Sequence, residues 1–415
     1  MSNEPIFIVG TPRSGTTLLA AMLSAHSRLD CGPETHFFCH LTRKIEKEIS
    51  SRNNWPEIAV QYITSLKLTG EYIYKLFDLS RNEIYSFLLD KPPSVNSSLE
   101  ALTQLHALKL NKHRWVEKTP NHLLFLPKLR KYYPNAFIIR SLRDFRDSAL
   151  SMSKLPWASK STIANIFRLN EWYYLSEKYL TVYSNLLVLP YERLIYNPEN
   201  YLGKVCNFIN ERFELSMIYN RDEVRHLYSK KEWWKTKVTA PLDKSRCYVW
   251  KREMDKDIQL ATTYIAMNML KKYNYEIDVP PPKETIFLFP LTRDFVERNE
   301  SLFLRLAKER IRLVGCSNID LLIDAIQYEN PSKIVFLYPM NVSLFSQSFS
   351  SSESLKAAFK FIKILGHLKK QSIPLYFTDA IKSIFSYELG YAEQIVNSVL
   401  RRFTKKLVDN FLKNH

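Results

Sequence analysis

Glycine is scarce in this chain, at eight of 415 residues, and cysteine scarcer still, at five. So few glycines beside 20 prolines exclude a collagen-like or low-complexity protein. Cys31, Cys39, Cys206, Cys247 and Cys316 are odd in number and widely spaced, with no Cys-x-x-Cys pair. That excludes a disulfide framework and offers no zinc-ligand spacing, so no metal is expected. No stretch approaches the ~20 apolar residues that a membrane-spanning helix needs. The N-terminus runs directly into Pro5-Ile6-Phe7-Ile8-Val9-Gly10 without a basic leader or cleavage site. A cytoplasmic protein in a reducing compartment is therefore the expectation. Acidic residues are in the minority, 42 against 59 Lys plus Arg, for a formal net charge of +17. That balance favours a polyanionic partner. The basic residues are scattered and no nucleic-acid-binding signature is present, so a phosphate-rich nucleotide or an anionic polymer suits the charge as well, and nucleic acid is not expected.

What is present describes a folded chain. Apolar types make up 46% and charged types 24%, and 415 residues allow two or three domains. The 24 Phe and 24 Tyr are many, but composition alone gives them no functional meaning. The clearest boundary is Asp278-Val279-Pro280-Pro281-Pro282-Lys283, because three prolines can continue neither a helix nor a central strand. Before it, short β-type runs at Ile6 to Val9, Trp115 to Val116, Ala136 to Ile139 and Leu186 to Leu189 alternate with helical patterns, which predicts a parallel sheet covered by helices. Residues 41–112 show helical spacing without convincing strands, interrupted by Lys91-Pro92-Pro93-Ser94, and read as a helical insertion. After the prolines, β-type runs return at Thr285 to Phe289, Arg312 to Val314, Lys333 to Tyr338 and Ile373 to Phe377. Helical stripes follow at Leu355, Ala358, Phe359, Ile362 and Leu365, and from Val396 to Phe411, with a loop at Ser348 to Ser354. A second, smaller α/β domain is expected there.

The chemistry begins after the first strand. Gly10-Thr11-Pro12-Arg13-Ser14-Gly15-Thr16-Thr17 runs into the helical Leu18-Leu19-Ala20-Ala21-Met22-Leu23. Strand, glycine-bounded loop and helix form an anion-binding arrangement, in which backbone N–H groups, the helix N-terminus, the hydroxyls of Ser14, Thr16 and Thr17, and the charge of Arg13 can all face oxygens. A nucleotide-triphosphate loop would carry lysine where Thr16 stands. Two rival readings remain beside any transferase: a P-loop nucleotide or small-molecule kinase, and a non-catalytic nucleotide- or polyanion-binding module.

Pro12-Arg13-Ser14-Gly15-Thr16-Thr17-Leu18-Leu19 resembles the 5′-phosphosulfate-binding loop of sulfotransferases that use 3′-phosphoadenosine 5′-phosphosulfate (PAPS). Further segments resemble the same family, in its bacterial and tyrosylprotein branches, and in its order. Cys31-Gly32-Pro33-Glu34-Thr35 matches the segment whose acidic residue is the general base, which makes Glu34 that base. Trp115-Val116-Glu117-Lys118-Thr119-Pro120 is similar to the Glu-Lys-Thr-Pro signature, whose lysine contacts the transferring sulfuryl group, a role that falls to Lys118. Phe137 to Asp144 with Ser148 to Ser151 looks like the 3′-phosphate motif, which gives Arg143 and Ser151 to that phosphate. Tyr191-Glu192-Arg193-Leu194 resembles the segment near the adenine, and Pro241 to Trp250 the loop that closes over the nucleotide. Relatives place a lysine before the closing-loop tryptophan, where this chain has Val249; Lys244, Arg246 or Lys251 can replace it, and Lys251 is taken.

The resemblance covers about residues 5–278. It implies a P-loop-like parallel sheet of the sulfotransferase type with a helical insertion over 1–279; the proline-rich linker at 280–284 and the smaller α/β domain at 285–415 lie beyond it and rest on the residue pattern alone. It also implies PAPS as co-substrate and 3′-phosphoadenosine 5′-phosphate (PAP) as product. Glu34, Lys118 and Arg13 would be catalytic, and Arg13, Ser14, Gly15, Thr16, Thr17, Arg143, Ser151, Tyr191 and Lys251 would hold the nucleotide. Sulfuryl transfer builds negative charge on the leaving phosphate, which N–H groups, Arg13 and Lys118 can neutralise without magnesium, while a carboxylate takes the acceptor proton. His26, His36 and His122 lie close to these segments and read as packing residues, His36 with reach to an acceptor. Glycan, lipid or small metabolite is preferred as acceptor, peptidyl tyrosine stays open, and oligomeric state is not legible.

Overall fold

A computed structural model describes residues 4–180, 183–221, 227–329, 331–337 and 375–378. The helical stripes expected at 355–365 and 396–411 and the loop at 348–354 lie outside them. The chain divides into two units, one formed by Met1–Asp255 with Lys272–Tyr275 and the other by Lys256–Lys271 with Glu276–His415.

Five parallel strands build the first unit: β1 Ile6–Gly10, β2 Leu29–Cys31, β3 Arg114–Lys118, β4 Phe137–Leu142 and β5 Leu186–Pro190, in the order β2-β3-β1-β4-β5. β1 is apolar at every position from Ile6 to Val9 because both of its faces are covered. Ile6 and Ile8 pack with Leu19, Met22, Leu23 and Val205 on one side. Phe7 and Val9 pack with Leu99, Leu102, Trp115 and Trp172 on the other. Helices Thr16–Ser24 and Pro198–Phe208 supply the first cluster, and Val95–Lys109 and Thr162–Leu180 contribute to the second.

The insertion over 41–112 is helical, as expected, with Arg43–Ile49, Glu57–Ser65, Arg81–Leu89 and Val95–Lys109. Lys91-Pro92-Pro93 turns the chain, and Ser94 caps the next helix by accepting the Ser97 N–H at 3.0 Å. One detail differs from the sequence reading. Lys67–Leu68 and Glu71–Tyr72 pair as a short antiparallel hairpin. Thr69 (φ 49°) and Gly70 (φ 82°) both sit in the left-handed region, as a two-residue hairpin turn requires.

In the second unit, β6 Glu284–Phe289, β7 Ile311–Gly315, β8 Lys333–Leu337 and β9 Leu375–Thr378 form a parallel sheet in the order β9-β8-β6-β7. Helix Lys256–Ile265 belongs to this unit. The buried Arg312 of β7 donates Nε–H to the Tyr264 carbonyl at 2.8 Å and ion-pairs with Glu329. The second unit thus takes in Lys256–Lys271 ahead of the proline run, while Lys272–Tyr275 returns to the first. No helix among the described residues is long and apolar enough to cross a membrane.

Candidate active site

Where the chain leaves β1 it turns sharply. Arg13 (φ 65°) and Gly15 (φ 93°) are left-handed, and helix Thr16–Ser24 follows with neither a side-chain cap nor an acidic residue in its first turn. The N–H groups of that turn have no intrahelical partner, so the helix start presents donors and positive potential. Gly10 and Gly15 are close-approach positions. A Cβ on Gly10 would stand 2.6 Å from Ser14 Oγ, and one on Gly15 2.4 Å from the Tyr191 ring. The Ser14 hydroxyl turns inward and donates to the Thr11 carbonyl at 2.8 Å, and Ser141 at the end of β4 donates to the Ser14 carbonyl at 2.6 Å. Ser14 thus shapes the loop, and its hydroxyl proton is not available as the ligand donor that the sequence suggested.

Arg13, Gly15, Thr16 and Thr17 line a cavity of about 1010 Å³, together with Glu34, Arg143, Ser151, Tyr191 and Arg246. Arg13 donates Nε–H to Ser151 Oγ at 3.1 Å. Arg143 lies 4.7 Å over the Tyr191 ring and donates to the Arg246 carbonyl at 2.6 Å. Its Nε is buried and has no hydrogen-bond partner among the described residues. Burial, followed by the neighbouring Arg143 and Arg246, pushes the Arg13 guanidinium down to about 10. Three guanidiniums that repel one another around an uncapped helix start suit an anion of high charge.

Helix Phe145–Ser153 holds the loop that carries Arg246. Asp147 accepts the N–H groups of Tyr248 at 2.8 Å and Trp250 at 2.9 Å, and Asp144 accepts the Trp250 indole N–H at 3.1 Å. Arg146 stacks 3.7 Å over the Trp250 ring. This clamp points Arg246 at the cavity. Lys251, the residue chosen from the sequence, is exposed on the outer side, 5.6 Å from the Trp250 ring centre, and is not among the lining residues.

Glu34 and Lys118, 84 positions apart, meet at 2.7 Å between Oε1 and Nζ. A buried network between their two segments explains the meeting. Glu117 accepts hydroxyl protons from Thr35 at 2.7 Å and Thr119 at 2.6 Å, and pairs with His122 Nδ1 at 2.9 Å. Thr119 Oγ1 in turn accepts the N–H groups of Thr35 at 3.0 Å and His36 at 3.2 Å. Burial pushes the Glu117 carboxyl up, and His122, Thr119 and Thr35 outweigh it, so the group is held below the usual range. His26 bonds the Arg212 carbonyl at 2.9 Å and stays away from this cluster.

Two more side chains engage Glu34. Lys235, which sequence reading missed, places Nζ 2.6 Å from the same Oε1, and His36 Nε2 lies 3.2 Å from Oε2. Burial raises the Glu34 carboxyl, but Lys118, Lys235 and then His36 together hold it well below the ordinary range. Lys118 is wholly buried and lies behind the lining residues, and its own ammonium is lowered by burial against the pull of Glu34. Lys235 sits in Trp233-Trp234-Lys235-Thr236-Lys237, and nothing in that local pattern marks one lysine as buried. Among the described residues, no group of three or more His, Cys, Asp and Glu side chains is placed to hold a metal ion.

Residues 5–214 match a family described as the sulfotransferase family. Protein-tyrosine sulfotransferase 1 of Danio rerio is 27% identical over 300 residues, covering 67% of this chain and 74% of that protein. A putative protein-tyrosine sulfotransferase of Caenorhabditis briggsae is 26% identical over 223 residues, covering 52% of this chain and 69% of its own. Among solved structures, the sulfotransferase domain from the curacin biosynthetic pathway covers 66% of this chain and 99% of its own at 20% identity, with a TM-score of 0.46.

Proposed function

The chain belongs to the sulfotransferase family, and from that premise we propose that its cavity binds PAPS and passes the sulfuryl group to an acceptor hydroxyl, with Glu34 as general base. The observation that carries this reading is the convergence of Arg13, Arg143 and Arg246 at an uncapped helix start, on the same cavity as Glu34. Gly15, which leaves room for the Tyr191 ring, and the unpartnered Nε of Arg143 fit a nucleotide bearing several phosphates. Thr16, Thr17 and the N–H groups of the first helical turn would hold the 5′ end, and Arg143 with Ser151 the 3′-phosphate. Bound PAPS supplies the activated sulfur–oxygen bond. As that bond to the phosphate breaks and one to the acceptor oxygen forms, Glu34 takes the acceptor proton while Lys118 and Arg13 offset the growing charge.

Peptidyl tyrosine is the acceptor to test first, because the relatives named above are protein-tyrosine sulfotransferases. A glycan is the second reading, favoured by Trp157 and Trp234 in the cavity lining, since indole faces suit sugar rings. All five cysteines are unpaired, which fits the reducing cytoplasm we assign to the chain. Incubation with ³⁵S-labelled PAPS and a panel of tyrosine peptides and oligosaccharides should label one class, and Glu34→Gln should remove the label. Release of PAP with no labelled product from any hydroxyl acceptor would count against transfer.

A further inference from the structure

Lys235 has no part in the chemistry assigned so far, yet it is buried and bonded to the proposed base. Its ammonium stands between two carboxylates, 2.6 Å from Glu34 Oε1 and 2.6 Å from Glu232 Oε1. Glu232 is itself fixed, its Oε2 accepting the Ser229 N–H at 3.2 Å, and the Ser229 hydroxyl bonds Glu71 in the hairpin. Glu232, Trp234, Lys235 and Lys237 all line the cavity. One turn of chain therefore forms a wall of the cleft and reaches the base through a single ammonium.

Two lysines converge on one oxygen of Glu34. Oε1 receives both Lys118 and Lys235, while among the described residues Oε2 carries only His36 at 3.2 Å. A base must offer a lone pair to the acceptor proton in a fixed direction, and a carboxylate that can rotate loses that direction. We propose that Lys235, held from behind by Glu232, is a positioning residue that pins Glu34 by Oε1 and leaves Oε2 for the acceptor hydroxyl. The device also keeps the base ionised before the acceptor arrives. The charged and titratable groups facing Glu34 are Lys118 from β3, Lys235 and Glu232 from the cleft wall, His36 and Cys31 from its own segment, Arg13 from the phosphate loop, and Cys39 and Glu117 beyond them. Lys235 is the second largest favourable charge among them, so its removal must register at Glu34.

This inference rests on Glu34 being the base, and its test does not need the acceptor. ¹³C NMR of glutamate carboxyls in the full-length chain, with Glu34 assigned by difference from Glu34→Gln, follows the titration directly. Lys235→Met should raise the Glu34 midpoint by about 1 to 3 pH units, as loss of an adjacent opposite charge does. Lys235→Arg should restore most of that shift, and Glu232→Gln, which leaves the ammonium wholly to Glu34, should not raise the midpoint. An unchanged midpoint in Lys235→Met, or a rise in Lys235→Arg as large as in Lys235→Met, overturns the proposal. Should Lys235→Met not fold, the other two variants decide it, because a rise of about 1 pH unit or more in Lys235→Arg, or any rise in Glu232→Gln, contradicts the proposed geometry. Calorimetry with PAP separates the two ideas: no PAP binding by the wild-type chain overturns the sulfotransferase assignment of the cleft and leaves the titration result standing.

Discussion

Glu34 is ionised where burial opposes ionisation, and its neighbours decide the outcome. Because Lys118, Lys235 and His36 hold it below its unfolded value, its contribution to stability is present above the ordinary carboxylate range and is lost as pH falls through the lowered value. Glu34→Gln should therefore flatten the acid limb of the stability profile, followed by denaturant melts from pH 6 to 3, lower turnover by roughly 100-fold or more, and leave PAP affinity within about threefold. Thr119 supports a different expectation. Its hydroxyl donates to Glu117 and accepts two backbone N–H groups, so Thr119→Val strands those two N–H groups and removes one of the donors to Glu117. Urea melts should show a loss of about 1 to 3 kcal/mol, with a fall in turnover as the Glu34 segment shifts, and Thr119→Ser should recover both. Of these residues, Glu34 and Lys118 were legible because each stands in a recognisable local pattern. Lys235 was not, because its partner lies 201 positions away and nothing in its own neighbourhood sets it apart from Lys237. Arg246 was weighed and passed over for Lys251; the choice turned on the Asp147 clamp, a tertiary contact that no spacing encodes.

At the scale of elements, the turn after β1 and the strand ends do the positioning. Gly15→Ala would place a methyl group 2.4 Å from the Tyr191 ring at a backbone φ of 93°. It should cost about 1 kcal/mol or more in stability and weaken PAP binding at least about tenfold by displacing the ring, as equilibrium melts and calorimetry would record. The short helix Tyr191–Tyr196 that follows β5 carries a second titratable device. Burial, aided by Asp144, pushes the Glu192 carboxyl up to about 7, where it accepts the Asp144 N–H at 2.9 Å and the Tyr275 hydroxyl at 2.9 Å. A carboxyl raised in the folded state stabilises fully below its unfolded value, and that contribution is lost as pH rises through about 7. Stability of the wild type relative to Glu192→Gln should accordingly decline between about pH 4.5 and 7.5, measured by paired melts. Four of the first unit's five strands were legible, because each carries a short apolar run, at Ile6 to Val9, Trp115 to Val116, Phe137 to Ile139 and Leu186 to Leu189. Leu29–Cys31 was not: three residues with Asp30 in the middle give no periodicity, and the buried Asp30 finds a partner in the buried His106 at 2.7 Å. The hairpin at 67–72 escaped for the same reason of length.

For the whole molecule, the net charge of +17 is scattered in sequence, and part of it is concentrated by the fold into a single cavity. Every residue lining that cavity lies in the first unit. Arg312→Met, which breaks the buried Arg312–Glu329 pair of the second unit, should destabilise that unit and leave PAP affinity within about threefold, read by calorimetry below its melting temperature. The central claim is that Arg13, Arg143 and Arg246 form a nucleotide site that reads a 3′-phosphate. Calorimetric titration of the full-length chain with PAP and with ATP, at one ionic strength and with chelator present, tests it most directly. PAP should bind at least about tenfold more tightly than ATP, without magnesium, and Arg143→Met should erase the preference. Equal affinity for PAP and ATP, or PAP binding that chelator abolishes, would contradict it.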